Sequence, residues 1–398
     1  MRLTNKGTYG RELITIKGKI RFSRTILVPA DIESAKKLFA EEGIKSVAPV
    51  DAALGIDKIP FKVTARMICE IVKEAVRNKS YSDAAEGIYK TFHVDISPDQ
   101  IRRITDYAGD LVFASDLEKA EYAKLHENDK IDRRKRRHRK NDVLYLETDG
   151  AMVNTRVEKE GSSWMECKMG MAFNERDIHR WTSKKGEPCH SIMKREFIGF
   201  IGSANEFMYH FLAMAKRNES DYCSEVVIIS DGAIWIQNMV KQHFPNATHI
   251  LDLYHAKENA CKFASFIYAG SPEKAKAASV EWCDMIENGK AEELIEILKP
   301  YEGKKMPPGI LNLHTYLSNH HSCMNYPEYK RKGYFVGSGA QESANKYVMQ
   351  NRMKLQGMRW NKRTGQGMLS LKAKYEADRW NEVEQLIYED CSVNKAAN

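Results

Sequence analysis

Two aspartates, each at the end of an apolar run, are the strongest candidates for a catalytic or metal-binding role in this chain. Asp149 ends the run in VLYLETDG, and Asp231 ends the run in VVIISDG. Each run predicts a buried strand, and the glycine that follows permits a tight turn. Because α/β folds place their chemistry at the carboxyl ends of strands, both carboxylates are candidates for a site. Asp-Gly after a strand is most often only a turn, so the interpretation depends on partners for these side chains.

Three further residues could provide those partners. Glu342 ends the glycine-rich stretch GYFVGSGAQE and falls in the first turn of a predicted helix. Asp252 ends the predicted strand that begins at Thr248, and His255 opens the next helix. Asp252 and His255 have two open explanations. In one, Asp252 caps the helix and His255 satisfies a buried polar group. In the other, the pair lies beside a metal site and holds a DNA strand or a flipped nucleotide through hydrogen bonds.

The elements around these residues predict a particular sheet. Strands are expected at 143–150, 152–157 and 164–173, followed by a mostly helical segment at 196–216. A strand at 226–229, a short amphipathic helix and a strand at 248–251 complete the pattern. The order β-β-β-α-β-α-β is that of a ribonuclease-H-like core. In that topology the first and fourth strands are neighbours, so Asp149 and Asp231 can share a metal ion.

Three converging carboxylates suit phosphodiester cleavage. Two divalent ions about 3.5–4 Å apart activate the attacking oxygen and neutralise the leaving oxygen. Hard oxygen ligands favour Mg²⁺ or Mn²⁺ over zinc. We therefore predict that Asp149, Asp231 and Glu342 are both catalytic residues and metal ligands, with two ions in each active site.

Upstream of this core, the sequence predicts a β-hairpin over 12–28 and a short helix over 31–42, and then three helices within 64–112. The turn at 93–96, before a helix that carries Arg102 and Arg103, resembles a helix-turn-helix that would bind DNA. A plain three-helix bundle is the alternative. The hairpin could equally be a small independent cap.

Basic residues cluster in two other places. Residues 133–140 form a like-charge run that is typical of an extended linker and would anchor nucleic acid without sequence preference. Within it we assign DNA binding to Arg133, Arg134, Lys135, Arg136 and Arg137. Beyond Glu342, Lys346, Arg352 and Trp360 combine cations with a ring that could stack on an unpaired base. A solvated helix with Trp360 in the core is the alternative.

The whole-chain totals fit a DNA-associated protein. A chain of 398 residues predicts several domains, and a formal net charge of +8 favours an anionic partner. The eight cysteines occur singly, which is typical of a reduced intracellular protein, and no long apolar stretch indicates a membrane span. We predict a soluble, cytoplasmic, nucleoid-associated protein. The predicted segments are a hairpin region (1–60), a helical domain (61–115), a basic linker (116–141), the first part of an α/β catalytic core (142–255), a helical insertion (256–332) and the rest of the core (333–398).

Three segments resemble the DDE transposases of bacterial insertion sequences, within the broader Mutator-like group. They are YLETDGAMVNT, SDGAIWIQNMVKQHFPNATHILDLYHAKE and GYFVGSGAQESANKYVMQNRMKLQGMRW. The resemblance covers roughly residues 60–385 and matches the family's triad to Asp149, Asp231 and Glu342. It also matches a C/D-x-x-H signature to Asp252 and His255, and the spacing of 111 positions from Asp231 to Glu342 to a helical insertion.

The resemblance implies metal-dependent cleavage at the 3′ ends of an insertion sequence and strand transfer into target DNA. It implies double-stranded DNA as partner, both element ends and target, and a homo-oligomer, a dimer or larger, with no membrane partner. The chain lacks the paired cysteines that some relatives carry in the N-terminal hairpin. The alternatives are a catalytically degenerate DNA-binding protein and a nuclease of the same fold without strand transfer.

Overall fold

The computed structural model describes residues 2–42, 45–57, 59–127, 142–156, 164–340 and 345–392. Its strands are β1 Leu3–Thr15, β2 Gly18–Pro29, β3 Val143–Asn154, β4 Trp164–Asn174, β5 Ile178–Thr182, β6 Pro188–Ile192, β7 Glu196–Ile201, β8 Glu225–Ser230 and β9 Thr248–Leu251. Its α-helices longer than three residues are α1 Ile32–Glu42, α2 Pro49–Ala53, α3 Ala65–Arg77, α4 Tyr81–Phe92, α5 Pro98–Leu125, α6 Ala204–Arg217, α7 Ile234–His243, α8 Leu253–Ile267, α9 Pro272–Glu287, α10 Ala291–Leu298, α11 Leu313–His320, α12 Tyr326–Arg331, α13 Lys362–Glu376 and α14 Trp380–Ser392. A π-helical segment covers Asn345–Gln350.

The described residues form two units. The first combines Met1–Ser115 with Gln350–Asn398, and the second is Asp116–Met349. The sequence predicted that residues 333–398 would complete the catalytic core, but from Gln350 onward the chain packs in the first unit. The reason is a close helix crossing: a Cβ on Gly109 of α5 would lie 2.7 Å from the Cα of Gly367 in α13. Only glycines allow the two helix backbones to approach so closely.

Helices α3, α4 and α5 confirm the three helical pieces that the sequence predicts. Ser80 caps α4 by accepting the Asp83 N–H at 3.0 Å, and Ser97 accepts the Gln100 N–H at 3.2 Å. The third helix runs on to Leu125, so residues 116–125 of the predicted linker are helical. The rest of that linker, 128–141, lies outside the described residues.

The second unit contains a five-stranded mixed sheet in the order β7-β4-β3-β8-β9. β3 pairs antiparallel with β4 and β4 antiparallel with β7, whereas β8 pairs parallel with both β3 and β9. Helix α6 covers part of this sheet, and its Phe207 and Phe211 are fully buried. A capping box between Ser203 and Glu206 begins α6, because each side chain binds the other's backbone N–H. The protein is therefore a mixed α/β protein, as the sequence predicts.

Two strand predictions were wrong in detail. The expected strands at 143–150 and 152–157 are one continuous strand, β3, which ends at Asn154. The third antiparallel strand is instead β7, whose residues Glu196–Ile201 were expected to begin a helix. A short apolar run such as EFIGFI has no periodicity that separates a buried strand from a buried helix.

Helices α8 to α12 confirm a helical region after β9. Gly270, Gly289 and residues 307–309 lie between these helices. In the parts of the chain that the structure describes, no helix combines the length and apolar character needed to cross a lipid bilayer.

Candidate active site

Asp149 and Asp231 lie side by side on neighbouring parallel strands. The last register pair of β3 and β8 is Thr148 with Ser230, and each aspartate is the next residue. The sequence predicted that Asp149 ends its strand. It does not, because β4 continues to pair with β3 after β8 has ended. The sheet edge at which β8 stops therefore brings the two carboxylates together.

The turn after β8 is braced from α11. Gly232 has a φ of +88°, and a Cβ on it would lie 2.7 Å from Nε2 of His320. The Tyr316 hydroxyl donates to the Asp231 backbone carbonyl at 3.0 Å, and His320 Nε2 lies 2.8 Å from the Gly232 carbonyl oxygen. Asp231 Oδ1 accepts the Ala233 N–H at 2.9 Å. These contacts hold the Asp231 backbone in place and require glycine at position 232.

The Asp149 carboxylate is partly buried and feels its neighbour's charge. Burial, reinforced by the negative charge of Asp231, raises the pKa of Asp149 above its ordinary value. Two hydrogen bonds oppose this effect: Gly150 N–H donates to Oδ1 at 2.7 Å and Asn345 Nδ2 donates to Oδ2 at 2.6 Å. Asn345 is itself buried, with 6% of its surface exposed. The site thus holds two repelling carboxylates, one of them oriented by a buried amide.

Asp252 and His255 form a second charged pair at the start of α8. Asp252 is buried and caps α8 by accepting the Tyr254 and His255 N–H groups, as in the first of the two explanations that the sequence left open. Its other oxygen accepts the Ser338 N–H at 2.6 Å and the Ser338 hydroxyl, and lies 3.5 Å from His255 Nδ1. Burial alone would raise the pKa of Asp252, but the bonds from His255 and Ser338 outweigh it and lower that pKa to about 2.

The charge of His255 lies close enough to Asp149 and Asp231 to interact with both carboxylates. Its hydrogen bond to Asp252, together with the charges of Asp252, Asp231 and Asp149, raises the pKa of His255 to about 9 despite partial burial. The imidazole is therefore protonated at neutral pH. Its side chain is 35% exposed. Asp252 is thus a buried structural residue, whereas His255 presents a positive charge beside the carboxylates.

A cavity of about 650 Å³ opens next to this cluster. Asp231 and His255 line one side, and α11 lines another with Thr315 and Tyr316. Its volume is in the range of sites that take small ligands or single chemical groups. The candidate site therefore has room beside its charged groups.

Glu342 lies outside the described residues, but the described chain on both sides of it contacts the site. Ser338, four positions earlier, binds Asp252, and Asn345, three positions later, binds Asp149. The Leu253 N–H also donates to the Val336 carbonyl at 2.9 Å. The segment that carries Glu342 is anchored at each described end to residues of the candidate site.

The donor set suits a hard divalent cation. Among the described residues, no group of three or more His, Cys, Asp or Glu side chains is placed to hold a metal ion. Asp149 and Asp231 supply carboxylate oxygens, which Mg²⁺ and Mn²⁺ prefer. A cation would also relieve the repulsion that raises the pKa of Asp149. The two aspartates therefore fit such an ion.

Two of the residues predicted to bind DNA are buried in the first unit. Arg352 is 2% exposed, and its guanidinium lies 4.8 Å from the Tyr81 ring centroid and 5.4 Å from that of Trp360. Arg352 Nε donates to the Ala75 carbonyl at 3.2 Å, and Trp360 Nε1 donates to the Met353 carbonyl at 3.1 Å. The prediction that Arg352 and Trp360 contact DNA is wrong for this structure, because both side chains build the core.

The other predicted DNA contacts differ in their surroundings. Arg102 is held by Asp99 and Asp106 in ion pairs of 2.8 and 2.7 Å, so its charge is already balanced. Arg103 and Lys346 are exposed. The basic residues Arg133, Arg134, Lys135, Arg136 and Arg137 lie outside the described residues.

Four residues that contact the site were not predicted to belong to it. Asn345 lies one helical turn from Glu342, a spacing that could have indicated a shared side. Tyr316 and Ser338 carry no local signal, because their partners are distant in sequence. His320 is buried, and it braces the Asp231-Gly232 turn through the Gly232 carbonyl.

Comparison with known families assigns the chain as a whole. The model of the uncharacterised protein family UPF0236 matches residues 10–386. The chain belongs to UPF0236. The match includes every residue of the candidate site described above. No curated protein matches the chain.

Proposed function

We propose that this UPF0236 member is a DDE transposase. It would cut DNA at the 3′ ends of an insertion sequence and join those ends to target DNA, with Mg²⁺ or Mn²⁺ as cofactor. The observation that carries the proposal is that Asp149 and Asp231 each directly follow the last register pair of two neighbouring parallel strands, β3 and β8.

The sheet topology supports this proposal. Three antiparallel strands followed by two parallel strands, with the first and fourth as neighbours, are what a ribonuclease-H-like core requires. Helix α6 connects β7 to β8, and α7 connects β8 to β9. Apart from the separate β5–β6 hairpin, this sequence of elements is consistent with the order β-β-β-α-β-α-β.

The described residues on either side of Glu342 support its role as the third carboxylate. Ser338 and Asn345 bind Asp252 and Asp149, so both described ends of the Glu342 segment meet the site. We propose that Glu342 joins the two aspartates in holding two divalent ions. When bound, such ions activate the attacking oxygen and neutralise the leaving oxygen of a phosphodiester.

The protein's own residues would do the positioning. Asn345 orients the Asp149 carboxylate through its bond to Oδ2, and Tyr316 and His320 hold the Asp231 turn. Protonated His255 would bind a phosphate oxygen of the DNA strand in the adjacent cavity. Asp252 keeps His255 charged and oriented, and Ser338 holds Asp252.

A cleavage and joining assay tests the function. The full-length protein is incubated with duplexes that carry the terminal inverted repeats flanking its gene, with a plasmid target and Mg²⁺. A transposase is expected to release 3′ ends and insert them into the plasmid, and chelator should stop both reactions. Cleavage without insertion would favour a nuclease of the same fold. Binding without cleavage, in either metal, would favour a degenerate DNA-binding protein.

A further inference from the structure

The β1–β2 ribbon concentrates positive charge. Residues 2–24 include seven lysines and arginines against one glutamate, a surplus of six, while the whole chain has a formal net charge of +8. The two strands pair along almost their full length, from Leu3 with Pro29 to Thr15 with Gly18. A single bulge between Asn5 and Gly7 interrupts the register. The ribbon is thus a long cationic element of the first unit.

One face of the ribbon is used for packing. The register places Arg11 opposite Phe22, and Leu13 two residues further along the same face. Leu13 is buried, and Arg11 forms an ion pair with the buried Asp51. Arg24 lies on this face too and contacts Asp51 at 2.6 Å. These two arginines are therefore neutralised inside the unit.

The opposite face is open from Gly10 to Glu12, although Ile14 nearer the turn is buried. Its central cross-strand pair is Gly10 with Ser23, and both residues are exposed. The next pair is Glu12 with Arg21, which form a surface ion pair of 2.7 Å, and the Arg21 side chain is 84% exposed. Lys19, two residues from Arg21 on the same strand, is exposed as well. Small side chains thus form a strip whose turn end carries two exposed cations.

We propose that this open face of the ribbon docks in the major groove of double-stranded DNA. The B-DNA major groove admits a two-stranded β-ribbon. Small residues at Gly10 and Ser23 let the ribbon backbone approach the base edges, and Lys19 and Arg21 contact phosphates at the groove wall. The inference rests on the proposed function, since a transposase must hold the DNA that it cuts.

Charge balance distinguishes the ribbon from the predicted helix-turn-helix. On α5, Asp99 and Asp106 neutralise Arg102, and Asp110 pairs with Arg363. The first half of α5 therefore presents balanced charge, which gains little from counterion release on DNA. On the ribbon, Asp51 neutralises Arg11 and Arg24, and Glu12 pairs with Arg21. The other four cations, Arg2, Lys6, Lys17 and Lys19, are exposed. The ribbon is the better electrostatic match to a polyanion.

The test compares two charge reversals of equal size in the full-length chain carrying Asp149→Asn, which prevents cleavage. Lys19→Glu with Arg21→Glu alters the open face, and Lys274→Glu with Lys276→Glu alters exposed positions on α9. Fluorescence anisotropy with a labelled mixed-sequence DNA duplex measures affinity over a series of salt concentrations. The ribbon pair is expected to weaken binding at least about tenfold and to reduce the salt slope by roughly 2, and the α9 pair far less.

A steric variant tests the docking face without changing charge. Ser23→Tyr fills the small strip and is expected to weaken duplex binding while leaving the salt slope near that of the parent. Far-ultraviolet circular dichroism melting confirms that each variant is folded. Should the ribbon reversal be unfolded, Lys19→Gln with Arg21→Gln replaces it.

The outcomes separate this inference from the proposed function. If the parent chain without Asp149→Asn cleaves and joins DNA but the ribbon pair binds duplex as well as the α9 pair does, only the ribbon proposal is overturned. If the ribbon variants lose single-stranded DNA as strongly as duplex, docking in the major groove is overturned. If duplex binding depends on the ribbon but the parent chain never cleaves, the proposed function fails and the ribbon remains a DNA-binding surface.

Discussion

Charged side chains have opposite surroundings at the edge of the β3–β8 pair and in the helical part of the first unit. At the sheet edge, Asp149 and Asp231 are placed together although they repel, and burial together with the charge of Asp231 raises the pKa of Asp149. In the helical unit, Arg102 is matched by aspartates and Arg352 is buried between rings. Repelling like charges that the fold keeps together indicate a function that uses them, whereas balanced or stacked charges indicate stability.

The largest expected effect comes from the carboxylates. Asp149→Asn, Asp231→Asn and Glu342→Gln should each reduce DNA cleavage by about a thousandfold or more, because each removes a metal-binding charge with little change in volume. The raised pKa of Asp149 means that its ionised form is disfavoured in the folded protein without metal. The melting temperature of Asp149→Asn in chelator should therefore equal or exceed that of the parent. Cleavage near the parent rate by any of the three variants would show that these carboxylates are not required for catalysis.

Arg352 tests whether the buried charge in the helical unit stabilises the fold. Arg352→Met should lower the free energy of unfolding by about 2–3 kcal/mol, because it removes a charged hydrogen bond and two ring contacts from the core. Arg359→Met, at an exposed position nearby, is the matched control and should change stability by less than about 0.5 kcal/mol. Urea unfolding measures both. Loss of DNA affinity per folded molecule with unchanged stability would return Arg352 to the DNA-binding surface.

Asn345 tests how far the orientation of the Asp149 carboxylate matters for metal binding. Asn345→Ala removes the bond to Asp149 Oδ2 and should lower cleavage about tenfold, with a higher Mg²⁺ concentration needed for half-maximal activity. Asn345→Asp should lower it further, because it places a third negative charge against Asp149. The Mg²⁺ titration decides between roles, since a purely structural residue would change stability without changing the metal requirement.

The smallest expected effect is the pH dependence of His255. Its pKa is raised from 6.5 to about 9 in the folded protein, so its contribution to stability is complete below pH 6.5 and is lost as pH rises through about 9. In chelator, the melting difference between the parent and His255→Ala should amount to a few degrees near pH 6 and vanish above pH 9. A difference that persists above pH 9 would show that His255 stabilises the fold by packing.

Cleavage by His255→Ala at neutral pH addresses its role in the site. The proposal expects a large loss of cleavage per folded molecule, since the variant removes the positive charge beside the carboxylates. Unchanged cleavage with a large melting loss would make His255 a core residue.

The sequence predicted the site best where local rules decide the structure. The run from β8 through the Asp231 turn to α7, β9 and the Asp252 cap follows from apolar runs, a glycine and a capping carboxylate, all within about thirty residues. Prediction failed where distant contacts decide. EFIGFI became the strand β7 because β4 was there to pair with it. Nothing in the sequence around Arg352 indicates Tyr81 as its partner, and arginines are rarely so buried.

The first unit is built from both ends of the chain, with the second unit inserted between them. A ribosome therefore releases all the residues of Asp116–Met349 before it has made α13 and α14. The second unit can fold during synthesis, but the first cannot close until the last helices emerge. A protein truncated after the candidate site would keep its aspartates and lack the helices that pack against Gly109 and Tyr81. Premature termination would thus yield a chain that keeps both aspartates but exposes apolar surface of the incomplete first unit, which favours aggregation.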